Sequence, residues 1–464
     1  MCLLNIRRKS PPATFCACWR GRWPRSRSSR RKSRRSASYG FASAMRSRKC
    51  STAQRSKIWR SIATGMKGHI CFIFKHTERK GEWPLERIYL DHAATSPVHP
   101  DVAAGMVQWM TEQFGNPSSI HHFGRQSRRA VDEARAVIAR SIGAKETEIV
   151  FTSGGTEADN FAVIGTAIAN RGRGNHIITT AIEHHAVLRA CEYLETQGFE
   201  VTYLPVDEQG TVSVEDVKAA LRDETVLVSV MFANNEVGTI QPIREIGALL
   251  RDHPAYFHTD AVQAYGLLPI DVNEYGIDLL SISAHKINGP KGSGALYVRE
   301  TVRITPLLFG GEQERKRRAG TENVPGIIGL AQAAEIAERT REEKRRQYAA
   351  WREAMLAIFR SSGIDYAVNG RPDGLPHILN VAFPGTNVES LLVNLDLAGI
   401  AASSGSACTA GSIDPSHVLV AMCGKESERI RSSVRFSFGL GNTMEQIERA
   451  AEETVKIIKR LTNR

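Results

Sequence analysis

Apolar residues return at Ala130, Val131, Ala134, Val137, Ile138 and Ile142, so residues 127–142 predict a helix with one buried stripe. The run Glu148-Ile149-Val150-Phe151-Thr152 is short and rich in β-branched residues, and predicts a strand. Helix 156–170, strand 175–180, helix 185–197, strand 200–205, helix 213–221 and strand 225–231 follow in alternation. Helix 242–252 and strands 256–260, 277–282 and 295–298 continue the series. Such alternation predicts an α/β fold: a mostly parallel sheet covered by helices, with ligands gathered at the carboxyl ends of the strands.

Past Thr321 the pattern changes. A long charged helix over about 326–359 leads to strands near 378–383 and 434–437, flanked by helices 387–398 and 443–461. The expected organisation is a large domain over 100–340 and a smaller α+β domain over 341–464. Segment 85–99 is expected to complete the small domain, which carries a cysteine-bearing loop at 403–418.

Charge separates a further region. Residues 1–77 hold 20 Lys and Arg and no acid, whereas residues 78–464 hold 41 basic and 49 acidic residues. The net charge of +12 therefore belongs to the amino-terminal segment, and no direct nucleic-acid contact is expected of the folded part. Residues 1–84 are a basic low-complexity extension, expected to be disordered or absent from the native protein. Three readings stand for it: an organelle presequence, a nucleic-acid tail, or translated upstream sequence ahead of a start at Leu85. The last is preferred, with a cytoplasmic location; the first would make it mitochondrial. Outside this segment only Cys191, Cys408 and Cys423 remain, too few for a disulfide framework. No apolar run reaches the ~18 residues a membrane span requires.

Candidate chemistry clusters at predicted strand ends. Ser283-Ala284-His285-Lys286 follows one strand, offering an amine able to form a Schiff base, and the glycine-rich 288–294 lets backbone approach a flat ligand. The other reading of Lys286 is a solvated surface charge. Thr152-Ser153-Gly154-Gly155-Thr156-Glu157 joins strand to helix, either as an anion cradle or as a plain glycine turn capped by Thr156. Asp260 can hold a protonated pyridine nitrogen with Gln263 near a ring oxygen, or can simply cap a helix. His184 can stack on a ring and exchange protons, or be a structural histidine. With no carboxylate at ligand spacing in Glu183-His184-His185, no metal is expected there. Asn235 can tune a ring oxygen or occupy a turn. Together these point to pyridoxal phosphate (PLP).

The order Tyr89 to Thr95, Gly115 to His121, Thr152 to Asn160, Glu183-His184-His185, Asn234 to Gly238, Asp260 to Gln263 and Ser283 to Lys286 resembles the NifS/IscS-type cysteine desulfurases. These belong to the class V aminotransferase group of PLP-dependent fold-type I transferases. The resemblance spans about 86–450 and includes Ser403 to Gly411, similar to that family's catalytic-cysteine loop. It implies that Lys286 tethers the cofactor, that His184 stacks on the ring as acid and base, and that Asp260 pairs with the pyridine nitrogen. Gln263 and Asn235 would approach the ring oxygen. Gly155, Thr156, Ser283 and His285 would bind the phosphate, with Thr321 supplied by the neighbouring subunit of a homodimer. Arg435 would pair with the substrate carboxylate. Cys408 would take sulfur from L-cysteine as a persulfide, leaving L-alanine, and pass it to an acceptor such as an iron–sulfur scaffold or sulfur-relay protein. It could also ligate a nascent cluster transiently.

Selenocysteine lyase is the nearest alternative activity, and a non-catalytic partner-binding scaffold the alternative from another class. An aminotransferase has no use for Cys408. Cys423 stands where that family continues Ala-Met-Gly; it is expected to pack as a small hydrophobe, with a second reactive thiol left open.

Overall fold

The computed structural model describes residues 87–404 and 415–463. Its centre is a seven-stranded sheet of β1 (Ile149–Thr152), β2 (His176–Thr180), β3 (Glu200–Leu204), β4 (Thr225–Ser229), β5 (Tyr256–Asp260), β6 (Leu279–Ser283) and β7 (Gly294–Val298). The order across the sheet is β1-β7-β6-β5-β4-β2-β3, and every pairing is parallel except the two made by β7. All strands but β3 are buried along their length or nearly so, because helices cover both faces. The α/β fold with a mostly parallel sheet is as the pattern predicts.

Two local departures have physical causes. The 277–282 run does not begin its strand until Leu279, because the Asp278 carboxylate turns aside to accept from Phe257 N at 2.9 Å and to pair with Arg299 Nε at 3.0 Å. The helix expected at 156–170 is interrupted by a π-helical stretch, Phe161–Gly165, between Gly155–Asn160 and Thr166–Asn170. A Cβ on Gly165 would stand 2.7 Å from Thr305 O, so the widened turn passes close against a neighbouring backbone.

A 39-residue helix, Val324–Ser362, ends at Gly363, whose φ of +71° suits glycine. Its first turns put Val324, Ile327 and Leu330 into the core around the large sheet. Its last turns put Trp351, Met355 and Phe359 into a second core with Phe383, Phe436 and Phe438. That core lies on a three-stranded antiparallel sheet, Ser433–Ser437 beside Ile378–Ala382 beside Ala367–Asn369. Ile88 and Leu90 join it, and Ile88–Tyr89 pairs in parallel with Ile400–Ala401.

Candidate active site

The carboxyl ends of β1, β2, β4, β5 and β6 open on one cavity of about 170 Å³. Gly155, Thr156, His184, Asn235, Asp260, Gln263, Ser283, His285, Lys286 and Arg435 all line it. Ten residues scattered over 281 positions therefore meet at one place, nine of them from strand ends and the turns that follow, and Arg435 from mid-strand in the second sheet.

Lys286 sits in the single 3-10 turn, Ala284–Lys286, that follows β6. Its Nζ donates to Ala93 O at 2.5 Å and Ala94 O at 2.8 Å. Gln263 Nε2 donates to the same Ala93 carbonyl at 3.0 Å, so the 93–94 backbone closes this side of the cavity. Beside Lys286, His285 Nδ1 lies 3.1 Å from Thr95 Oγ1. Burial and the Lys286 and Lys291 cations push the His285 pKa down to about 4.

Asp260 closes β5 with its carboxylate buried, and Oδ1 accepts from Val262 N at 2.9 Å. Burial raises its pKa to about 6, while that hydrogen bond and Lys286 favour the charged form. His184 caps the helix His185–Thr196 by accepting from Ala186 N on Nδ1 at 3.1 Å, which leaves the proton on Nε2. Burial first, then Lys286, His185 and His417, press its pKa down to about 4. The imidazole is thus neutral at physiological pH.

Arg435 comes from the middle of the small sheet. Val434 and Phe436 point into the second core, so alternation along the strand sends Arg435 to the opposite face. There Nη1 donates to Asn235 O at 2.9 Å and Nη2 to Asp91 Oδ1 at 2.9 Å, while the buried Nε makes no hydrogen bond.

The site fits PLP. A Cβ on Gly155 would press to 2.9 Å from Val262 Cγ2, so the glycine keeps a helix start and its outward N–H groups open to a phosphate. The buried Asp260 carboxylate suits a cationic ring nitrogen, and Lys286 supplies the amine.

Two expected site residues are not gathered here. Thr321 is exposed and outside the cavity lining. Cys408 lies outside the described residues. Of the other thiols, Cys191 is wholly buried with its pKa raised by burial, and Cys423 is half-buried against the Ile182, Met231 and Met422 cluster. Sequence reasoning missed Asp91, which orients Arg435, and Asp159, which lines the cavity beside Asp260.

A parallel sheet whose strand ends assemble an amine, a buried carboxylate, a neutral imidazole and a glycine-edged helix start defines a PLP-dependent enzyme of fold type I. The aminotransferase class-V family model matches residues 88–450, and the chain belongs to that family. Among relatives, IscS 1 of Bacillus subtilis (strain 168) is 62% identical over 379 residues, covering 82% of this chain and all of that protein. The cysteine desulfurase IscS of Methanosarcina thermophila is 53% identical over 381 residues, covering 81% and 93%. A solved NifS-like protein superposes with a TM-score of 0.76 at 36% identity, covering 81% of this chain and all of that one.

Proposed function

We propose that this chain converts L-cysteine to L-alanine and carries the sulfur away as a persulfide on Cys408. The observation that carries the reading is the meeting of Lys286, His184, Asp260 and Arg435 around one cavity, in a chain with close relatives named cysteine desulfurase. PLP, when bound, supplies an electron sink that stabilises negative charge at the substrate α-carbon.

The chain's residues do the rest. Lys286 would tether the cofactor, Asp260 would pair with its ring nitrogen, His184 would stack on the ring, and Gln263 and Asn235 would serve the ring oxygen. Gly155, Thr156, Ser283 and His285 would bind the phosphate, joined by Thr321 of a second copy in a homodimer. Arg435 holds the substrate carboxylate with the guanidinium edge left over from Asp91 and Asn235, a planar task that lysine performs poorly. The Lys286 amine takes the α-proton. The Cys408 thiolate attacks the substrate sulfur; the carbon–sulfur bond breaks, a sulfur–sulfur bond forms, and a proton returned to carbon leaves alanine. An acceptor protein then takes the sulfur, for iron–sulfur cluster assembly or tRNA thiolation. Among the described residues no helix is long and apolar enough to cross a membrane, and we place the enzyme in the cytoplasm.

Cys408→Ala tests this. The variant is expected to keep the cofactor and its visible absorbance yet form no alanine or sulfide from L-cysteine with a reductant present. Turnover at the wild-type rate would refute the assignment. Turnover of selenocysteine far above that of cysteine would favour the lyase instead.

A further inference from the structure

Beneath the cavity runs a line of buried polar groups that the proposed reaction does not use. Asp159, on the helix after β1, brings a carboxylate oxygen within 4.8 Å of ligand atoms of both Asp260 and His184. It is 1% exposed, and its Oδ1 has no hydrogen-bond partner. The carboxylate also meets the Ser281 hydroxyl. Ser281 Oγ lies 3.1 Å from His258 Nε2, and His258 Nδ1 lies 2.8 Å from Ser229 Oγ. Strand register explains the line: Ser229 stands opposite His258 and Ser281 opposite Asp260, so all four share one face of the sheet.

Two carboxylates this close, both buried, do not both ionise. Asp260 has what stabilises a charge, the Val262 N–H at 2.9 Å and the Lys286 cation. Asp159 has a hydroxyl contact and an oxygen, Oδ1, that makes no hydrogen bond and lies 3.7 Å from His258 Nε2, and burial together with the Asp260 charge raises its pKa. His258 does not compensate with a positive charge, because burial lowers its pKa to about 3. Glu183, the remaining acid facing Asp159, is itself buried with its pKa raised to about 8.

We propose that Asp159 is a positioning residue, a neutral acid set between Ser281 and Asp260. It keeps one negative charge, on Asp260, under the cofactor ring, and so rests on the reading that Asp260 meets the ring nitrogen. A second charge there would over-stabilise the protonated ring; an apolar side chain would leave Asp260 without this neighbour.

The test uses holoenzyme and three readouts: the infrared carboxylic-acid band, the pH midpoint of the bound cofactor's visible absorbance, and the PLP dissociation constant of reconstituted apoprotein. Asp159→Asn, neutral and of the same shape, is expected to remove one protonated-carboxyl band, leave the midpoint in place and preserve affinity. Asp159→Ala, which removes the buried contact to the Ser281 hydroxyl, is expected to weaken PLP binding by about tenfold, the upper end of what loss of one buried hydrogen bond does. Ser281→Ala, which deletes one hydroxyl, is expected to shift the infrared band while the fold is retained. An unchanged carboxylic-acid region in Asp159→Asn, or a midpoint lowered by about one unit as removal of a nearby negative charge would give, overturns the proposal. Wild-type protein that binds no PLP would instead overturn the reading of the site beneath it.

Discussion

The two sheets of this chain deliver chemistry in different ways. The seven-stranded sheet presents it at strand ends, where the backbone stops pairing and turns such as Ala284–Lys286 hold side chains over the cavity. The three-stranded sheet presents it in mid-strand: Arg435 pairs across to Asn380, whose amide donates to Glu236 O at 3.1 Å, while the other face is filled by Phe436 and Val434. One sheet holds a site by its loops, the other by the alternation of a buried strand. The difference teaches that the second core meets the site at particular contacts, Arg435 with Asn235 and Asp91 and the Ser437 hydroxyl accepting from Ala93 N at 2.8 Å, so packing lost far from those contacts leaves the cofactor end in place.

The largest expected effect tests that separation. Phe359 is fully buried, with the Phe383 and Tyr366 rings 5.5 and 5.8 Å away. Phe359→Ala should cost about 3–5 kcal/mol in denaturant unfolding, with PLP affinity of the folded fraction unchanged. Equal loss of cofactor affinity would break the comparison. Next, Arg435→Lys should lower kcat/KM for cysteine by about 100-fold, chiefly through KM, as loss of a bidentate charged contact does, again with PLP retained. A kcat defect with unchanged KM would move Arg435 out of the substrate contact.

The smallest effect concerns pH. Burial is the leading cause that lowers the pKa of eight described histidines, His92, His184 and His285 to about 4 and His258 and His377 to about 3 among them. Between the ordinary histidine value near ~6.5 and about 4, the unfolded chain therefore binds more protons at these sites, and stability rises with pH. Raised carboxylates, Glu183 at about 8 and Asp260 at about 6 with Asp159, Glu236 and Asp278, act the other way: their contribution is present at low pH and fades as pH rises. The histidines outnumber them, so the apoprotein's urea midpoint should climb from pH 5 to 6.5. A falling midpoint would show that the acids dominate.

The strand-end half of the site was legible because each residue closes an apolar run followed by glycine or a polar turn, as at Ser283 to Lys286 and Thr152 to Thr156. Arg435 was legible only through family resemblance, since Val-Arg-Phe inside an apolar strand carries no sign of which face meets a cavity. Asp159 escaped because its meaning depends on Asp260, distant in sequence and adjacent only once β1 and the strands beside it are in register. The late start of β6 escaped for a similar reason, as Asp278 finds its partners on β5 and at Arg299.

The central claim is that the amine at Lys286 holds the cofactor, and borohydride reduction of PLP-loaded protein followed by peptide mass mapping tests it most directly. The account predicts one stable pyridoxyl adduct, on the peptide containing Lys286, and its loss in Lys286→Ala. Colourless protein with no adduct, or an adduct confined to another lysine, would contradict it.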